Sequence, residues 1–119
     1  MPILGGTHPI TANTVAAGTA AAATTPILAN YGATKAHYTV PANGTLNVAV
    51  ALSAAATLSV AHNASSGTPS YNALNAGASL NANAEYAFSV PVLAGDVIDF
   101  QVSSSVTINV FELFFVDRQ

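Results

Sequence analysis

Cysteine is absent from the 119 residues, which removes disulfides, zinc–thiolate centres and thiol catalysis together. Charge is almost absent as well. Asp, Glu, Lys and Arg make up 6% of the chain, against roughly 25% in an ordinary soluble domain. The only cations are Lys35 and Arg118. Two positive charges are too few to neutralise a nucleic-acid backbone or to hold an anionic membrane surface. Neither nucleic acid nor membrane is therefore expected as a partner. No run approaches the roughly 20 apolar residues of a membrane span. Met1 to Ile10 lacks both a cationic start and an apolar core, so it does not read as a signal peptide.

Catalytic patterns are missing too. The chain has no Gly-x-Ser-x-Gly elbow and no Gly-rich phosphate loop. Its histidines, His8, His37 and His62, lie far apart, and His62 reads as a solvated strand end. Asp96 and Asp99 point to opposite faces of an extended strand, because their separation is odd. They do not form an acid/base pair. No catalytic, cofactor-binding or metal residue is expected, and the chain does not read as an enzyme. Glu112, mid-strand, is expected near a sheet edge or paired with Lys35 or Arg118.

What is present divides near Lys35. Residues 1–36 are rich in Gly, Ala, Thr and Pro. Val15 to Ala23 could turn once as helix, but Gly18 interrupts it. The segment is expected as an extended N-terminal arm, ordered by the domain surface or by a neighbour. Its apolar residues Ile3, Leu4, Ile10, Val15, Ile27 and Leu28 are the expected contacts to a partner.

Residues 37–119 are expected as one β-sandwich domain. Thr45 to Leu52, Thr57 to His62, Glu85 to Val90 and Val97 to Val102 alternate apolar and polar side chains, the period of half-buried strands. Pro41-Ala42-Asn43-Gly44, Ser53-Ala54-Ala55-Ala56, Ser65-Ser66-Gly67-Thr68-Pro69 and Ala94-Gly95-Asp96 supply the turns. Val106 to Val116 is apolar on both faces. Val106, Ile108, Val110, Phe114 and Val116 are expected on one, and Phe111, Leu113 and Phe115 on the other. A strand apolar on both faces is covered on both, so Phe111, Leu113 and Phe115 are assigned to an oligomer interface.

The chain also repeats itself. Tyr38-Thr39-Val40-Pro41 is echoed by Phe88-Ser89-Val90-Pro91, fifty positions on. The same offset aligns Leu52 to Val60 with Val102 to Val110 without a gap. Two similar three-strand units are implied, and a jelly roll contains such halves.

Tyr38 to Val116 resembles the small β-sandwich structural proteins of tailed phages and related viruses. The likeness rests on Val40-Pro41-Ala42-Asn43-Gly44, on Tyr86-Ala87-Phe88 followed by Leu93-Ala94-Gly95-Asp96, and on the paired Ser/Ala-rich turns. The Ala-Gly-Asp turn is also similar to the closing strands of trimeric jelly rolls of the tumour-necrosis-factor and complement-C1q type. The resemblance implies an all-β, antiparallel, jelly-roll-like sandwich. It also implies a capsid decoration or cement protein on the exterior of a virion, a homotrimer bound to the major capsid protein. Two alternatives stand beside it. One is a carbohydrate- or cell-surface-binding module of a phage fibre, with Tyr71 in the ligand loop. The other is a filament subunit that donates residues 1–36 to its neighbour.

Overall fold

A computed structural model describes residues 10–31 and 37–117. The strands are β1 (Ile10–Thr14), β2 (Thr19–Ala21), β3 (Tyr38–Thr39), β4 (Gly44–Leu52), β5 (Leu58–Ala61), β6 (Asn72–Ala73), β7 (Glu85–Val92), β8 (Val97–Val102) and β9 (Val106–Asp117). A single helical turn, α1 (Ile27–Asn30), lies between β2 and β3. Two antiparallel sheets form a β-sandwich. One runs β1-β9-β4-β7, with β2 also on β9, and the other runs β3-β8-β5-β6. The alternating residues read from the sequence meet between them. Leu46, Val48, Val50 and Leu52 of β4 are buried in one cluster with Leu58 and Val60 of β5 and Ile98, Phe100 and Val102 of β8. Phe100 packs edge-on against Phe111 at 5.3 Å between ring centres, a favoured aromatic geometry. At Gly44 the backbone of β9 comes so close that a Cβ would collide with the carbonyl oxygen of Val116.

The described part of the N-terminal segment belongs to the sandwich and is not an arm. β1 and β2 both pair with β9, and α1 lies against β8. Val15, Ala21, Ile27 and Leu28 are buried in the chain's own core. Gly18, expected to break a helix, holds φ +89° in the turn between β1 and β2, a conformation that suits glycine.

The last strand departs from strict alternation. Ala51 pairs with Val110 and Leu52 with Ile108, which leaves Asn109 as the extra residue of a β-bulge. One inserted residue exchanges the faces of everything beyond it. The core face of β9 is therefore Val106 and Ile108 before the bulge, then Phe111, Leu113 and Phe115 after it. Val110, Phe114 and Val116 are half-buried on the outer side.

The internal echo is a fact of strand pairing. Val48 pairs with Phe88, and adding fifty to one and subtracting it from the other gives Ile98 with Tyr38, which also pair. Leu52 with Ile108 maps in the same way onto Val102 with Leu58. The turns match in detail. Ser53 N donates to Thr107 O and Thr107 N to Ser53 Oγ, each at 2.9 Å. Ser103 N donates to Thr57 O at 3.0 Å and Thr57 N to Ser103 Oγ at 2.9 Å. Further out, Ala22 N donates to the Tyr31 hydroxyl at 2.8 Å and Asn81 N to the Tyr86 hydroxyl at 2.9 Å. An approximate two-fold relation links the halves. Each sheet takes a central strand from one half, β4 or β8, and flanks it with strands of the other.

Candidate functional site

The halves differ most where α1 sits, and the difference buries a carboxylate. Asp99 of β8 is fully buried. Its Oδ1 accepts the backbone N–H of Leu28 and of Phe100, both at 2.7 Å. Its Oδ2 accepts Ala29 N–H at 3.0 Å and lies 2.8 Å from His37 Nδ1. Pro26, at the start of α1, offers no side-chain cap. Asp99 supplies it from a distant strand, satisfying amides that a first helical turn leaves open. Burial pushes the Asp99 carboxyl above its ordinary 3.8, while the N–H donors and His37 pull it down. Both oxygens are fully engaged, so Asp99 serves here as an anchor for α1 and His37.

His37 was not expected in such a cluster. The signal for it lay in the echo: if Tyr38 pairs with Ile98, then His37 is brought beside Asp99. Tyr71, the expected ligand-loop residue, belongs to the same region. Its hydroxyl oxygen is buried and without a hydrogen-bond partner. Burial raises the phenol, and the charge of Asp99 adds to the effect. Tyr71 as a whole is half-buried, with its polar end turned inward.

A second pair sits nearby. His62 Nδ1 lies 3.3 Å from Asp96 Oδ2, which also accepts Leu93 N–H at 2.9 Å. Asp96 and Asp99 thus have separate partners. Among the described residues, no group of three or more His, Asp or Glu side chains is placed to hold a metal ion. No described helix is long and apolar enough to cross a membrane. An open groove of about 570 Å3 runs between β2, Tyr31 and the Ser53 and Ser105 turns. The Ser53, Ser105 and Tyr31 hydroxyls each accept a backbone N–H there.

The residues expected at an oligomer interface lie elsewhere. Phe111, Leu113 and Phe115 are 1%, 0% and 4% exposed. The bulge at Asn109 turns them into the chain's own core, so they are not available to a neighbour. Of the expected arm contacts, Val15, Ile27 and Leu28 are core residues, and Ile10 is in β1. Ile3 and Leu4 lie outside the described residues, as do Lys35 and Arg118. Glu112 is exposed on a strand inside the sheet, between β1 and β4. The bulge turns it outward, and it needs neither a sheet edge nor a cation.

The outer side of the β1-β9-β4-β7 sheet carries few charges. Thr45, Asn47 and Ala49 of β4 and Val110, Phe114 and Val116 of β9 are half-buried there, with Ala87 and Ser89 of β7 exposed beside them. Ser89 Oγ donates to Asn47 Oδ1 at 2.7 Å across the strands. Glu85 and Glu112 are its only charges among these strands. On the other sheet, the equivalent side carries Asp99, with α1 fastened to it.

The sequence matches no protein-family model, and a search of curated proteins finds no relative.

Proposed function

We propose that this chain is a non-enzymatic structural protein. It coats the outside of a larger particle, a virus capsid, as an assembly of its own copies, and acts through its surface. The observation that carries this is the outer side of the β1-β9-β4-β7 sheet. It is made mostly of neutral side chains, small ones on β4 and β7 and Val110, Phe114 and Val116 on β9, and bears two carboxylates and no described cation. Covering such a surface desolvates few charges, so its burial against a partner costs little. The resemblance of Tyr38 to Val116 to phage β-sandwich proteins supports the choice of particle. The interleaving of two three-strand halves supports a jelly-roll-like topology. The homotrimer is implied by that resemblance alone, and the interface expected for it, Phe111, Leu113 and Phe115, is core, so the proposal here is a homo-oligomer whose copies meet elsewhere. Immunogold labelling of intact particles from the source organism tests it. Antibodies to the folded chain should decorate the particle exterior, and label confined to soluble protein or to the cell envelope would overturn the proposal.

A further inference from the structure

β7 forms one end of the five-stranded sheet, with β4 on one side and no described strand on the other. It has eight residues. Long open edges are usually blunted by lysine, by inward charges, by bulges or by proline. β7 has no cation, and its only charge, Glu85, is at its start. Pro91 is its one protective residue.

Pro91 also sets the direction of the backbone groups. Proline has no N–H, so within a sheet it occupies a position whose backbone points away from the neighbouring strand. By alternation, Glu85, Ala87 and Ser89 then point their N–H and C=O groups to the open edge. The other four, Tyr86, Phe88, Val90 and Val92, face β4.

From this edge we infer that two copies of the chain pair β7 against β7 in antiparallel fashion, about a two-fold axis at Ala87. The inference rests on the assembly proposed above and names where copies meet. The register follows from the donors. With the axis at Ala87, Ala87 exchanges hydrogen bonds with its counterpart, and Glu85 does so with Ser89. All three outward residues are satisfied, and Pro91 falls beyond the paired stretch. An axis at Phe88 would set Glu85 against Pro91, which cannot donate. An axis at Tyr86 would need strand at Asn83, which has a positive φ of 60°. The chosen register also keeps like charges apart, since Glu85 meets Ser89 and not Glu85. Tyr86 and Phe88, half-buried and stacked at 5.9 Å with ring planes 9° apart, come opposite each other across the axis. Tyr86 of each copy faces Phe88 of the other, and their open ring surfaces are covered.

The test uses the full chain, with Ala87→Lys and Ala87→Glu. Ala87 is exposed, so both variants should unfold at the temperature of the parent when compared at a concentration where the parent is monomeric. Light scattering on a sizing column should give twice the chain mass for the parent. Each variant alone should dimerise roughly tenfold more weakly or worse, because like charges then face each other across the axis. An equimolar mixture of the two should restore a dimer, because opposite charges meet. Amide exchange provides a check without substitution: the Ala87 and Ser89 amides should gain protection as concentration rises. A monomeric parent with unprotected amides overturns the edge pairing and leaves particle labelling to decide the proposed function. An oligomer that both variants retain also overturns it, since copies then meet elsewhere. So does an edge protected at every dilution but opened by removing residues 1–9, which would make that segment the occupant.

Discussion

At the scale of single residues, Asp99 concentrates the unusual electrostatics of a chain that has almost none. A fully buried carboxylate must be matched by donors, and it has four. Asp99→Asn keeps the shape but offers one accepting oxygen in place of two, leaving an N–H of the α1 turn opposed by an NH2 group. The variant should be less stable by about 1–3 kcal/mol. The dependence on pH carries a definite sign. Asp99 ionises above its ordinary 3.8 in the folded chain, so its contribution is full below that value. It is lost as pH rises through the raised one. The deficit of Asp99→Asn should therefore be largest in acid and narrow toward neutrality. Urea midpoints of both proteins across that window would check it, and a deficit that widened with pH would mean that the donors outweigh burial.

At the scale of elements, the two-fold relation makes each turn a control for its counterpart. Thr24 N donates to Val102 O at 2.8 Å and Asn83 N to Leu52 O at 2.7 Å. Both residues are left-handed, at φ 55° and 60°. Asparagine tolerates that region, whereas a β-branched side chain is strained there. Thr24→Asn should therefore stabilise the chain by about 0.5–1 kcal/mol, and Asn83→Thr should destabilise it by a similar amount. Equilibrium unfolding of the pair gives both numbers. Strands β4 and β8 were legible because in each a buried row of large apolar side chains alternates with smaller or polar ones. The repeat was legible for the same reason, in its turns. β1 and β2 were not, because Thr and Ala carry no period when strand identity comes from pairing with β9. The bulge at Asn109 has no mark in the sequence, and that one residue moved Phe111, Leu113 and Phe115 from an expected interface into the core. His37 beside Asp99 was recoverable only by taking the repeat as a statement about pairing.

At the scale of the whole molecule, the N-terminal segment is structural. A chain beginning at His37 would lose both strands that cover one side of β9. It would also lose Val15, Ala21, Ile27 and Leu28 from the core. Four such losses exceed the usual margin of stability of a small domain. That chain should show no cooperative unfolding by circular dichroism, whereas an appended arm would leave the transition unchanged. The interleaving of the halves also constrains biosynthesis. β1 and β2 wait for β9, β3 for β8, and β4 for β7 and β9. None of the first five strands pairs with another of the five. On a ribosome, the first half of the polypeptide emerges with every strand unmatched, and the earliest segment is the last to find its place. Most contacts close late and over long distances along the chain, a pattern associated with slow folding and exposure to aggregation. Emergence of β9 is thus the event that permits these sheets to close, and the nascent chain before it is the form most in need of a chaperone.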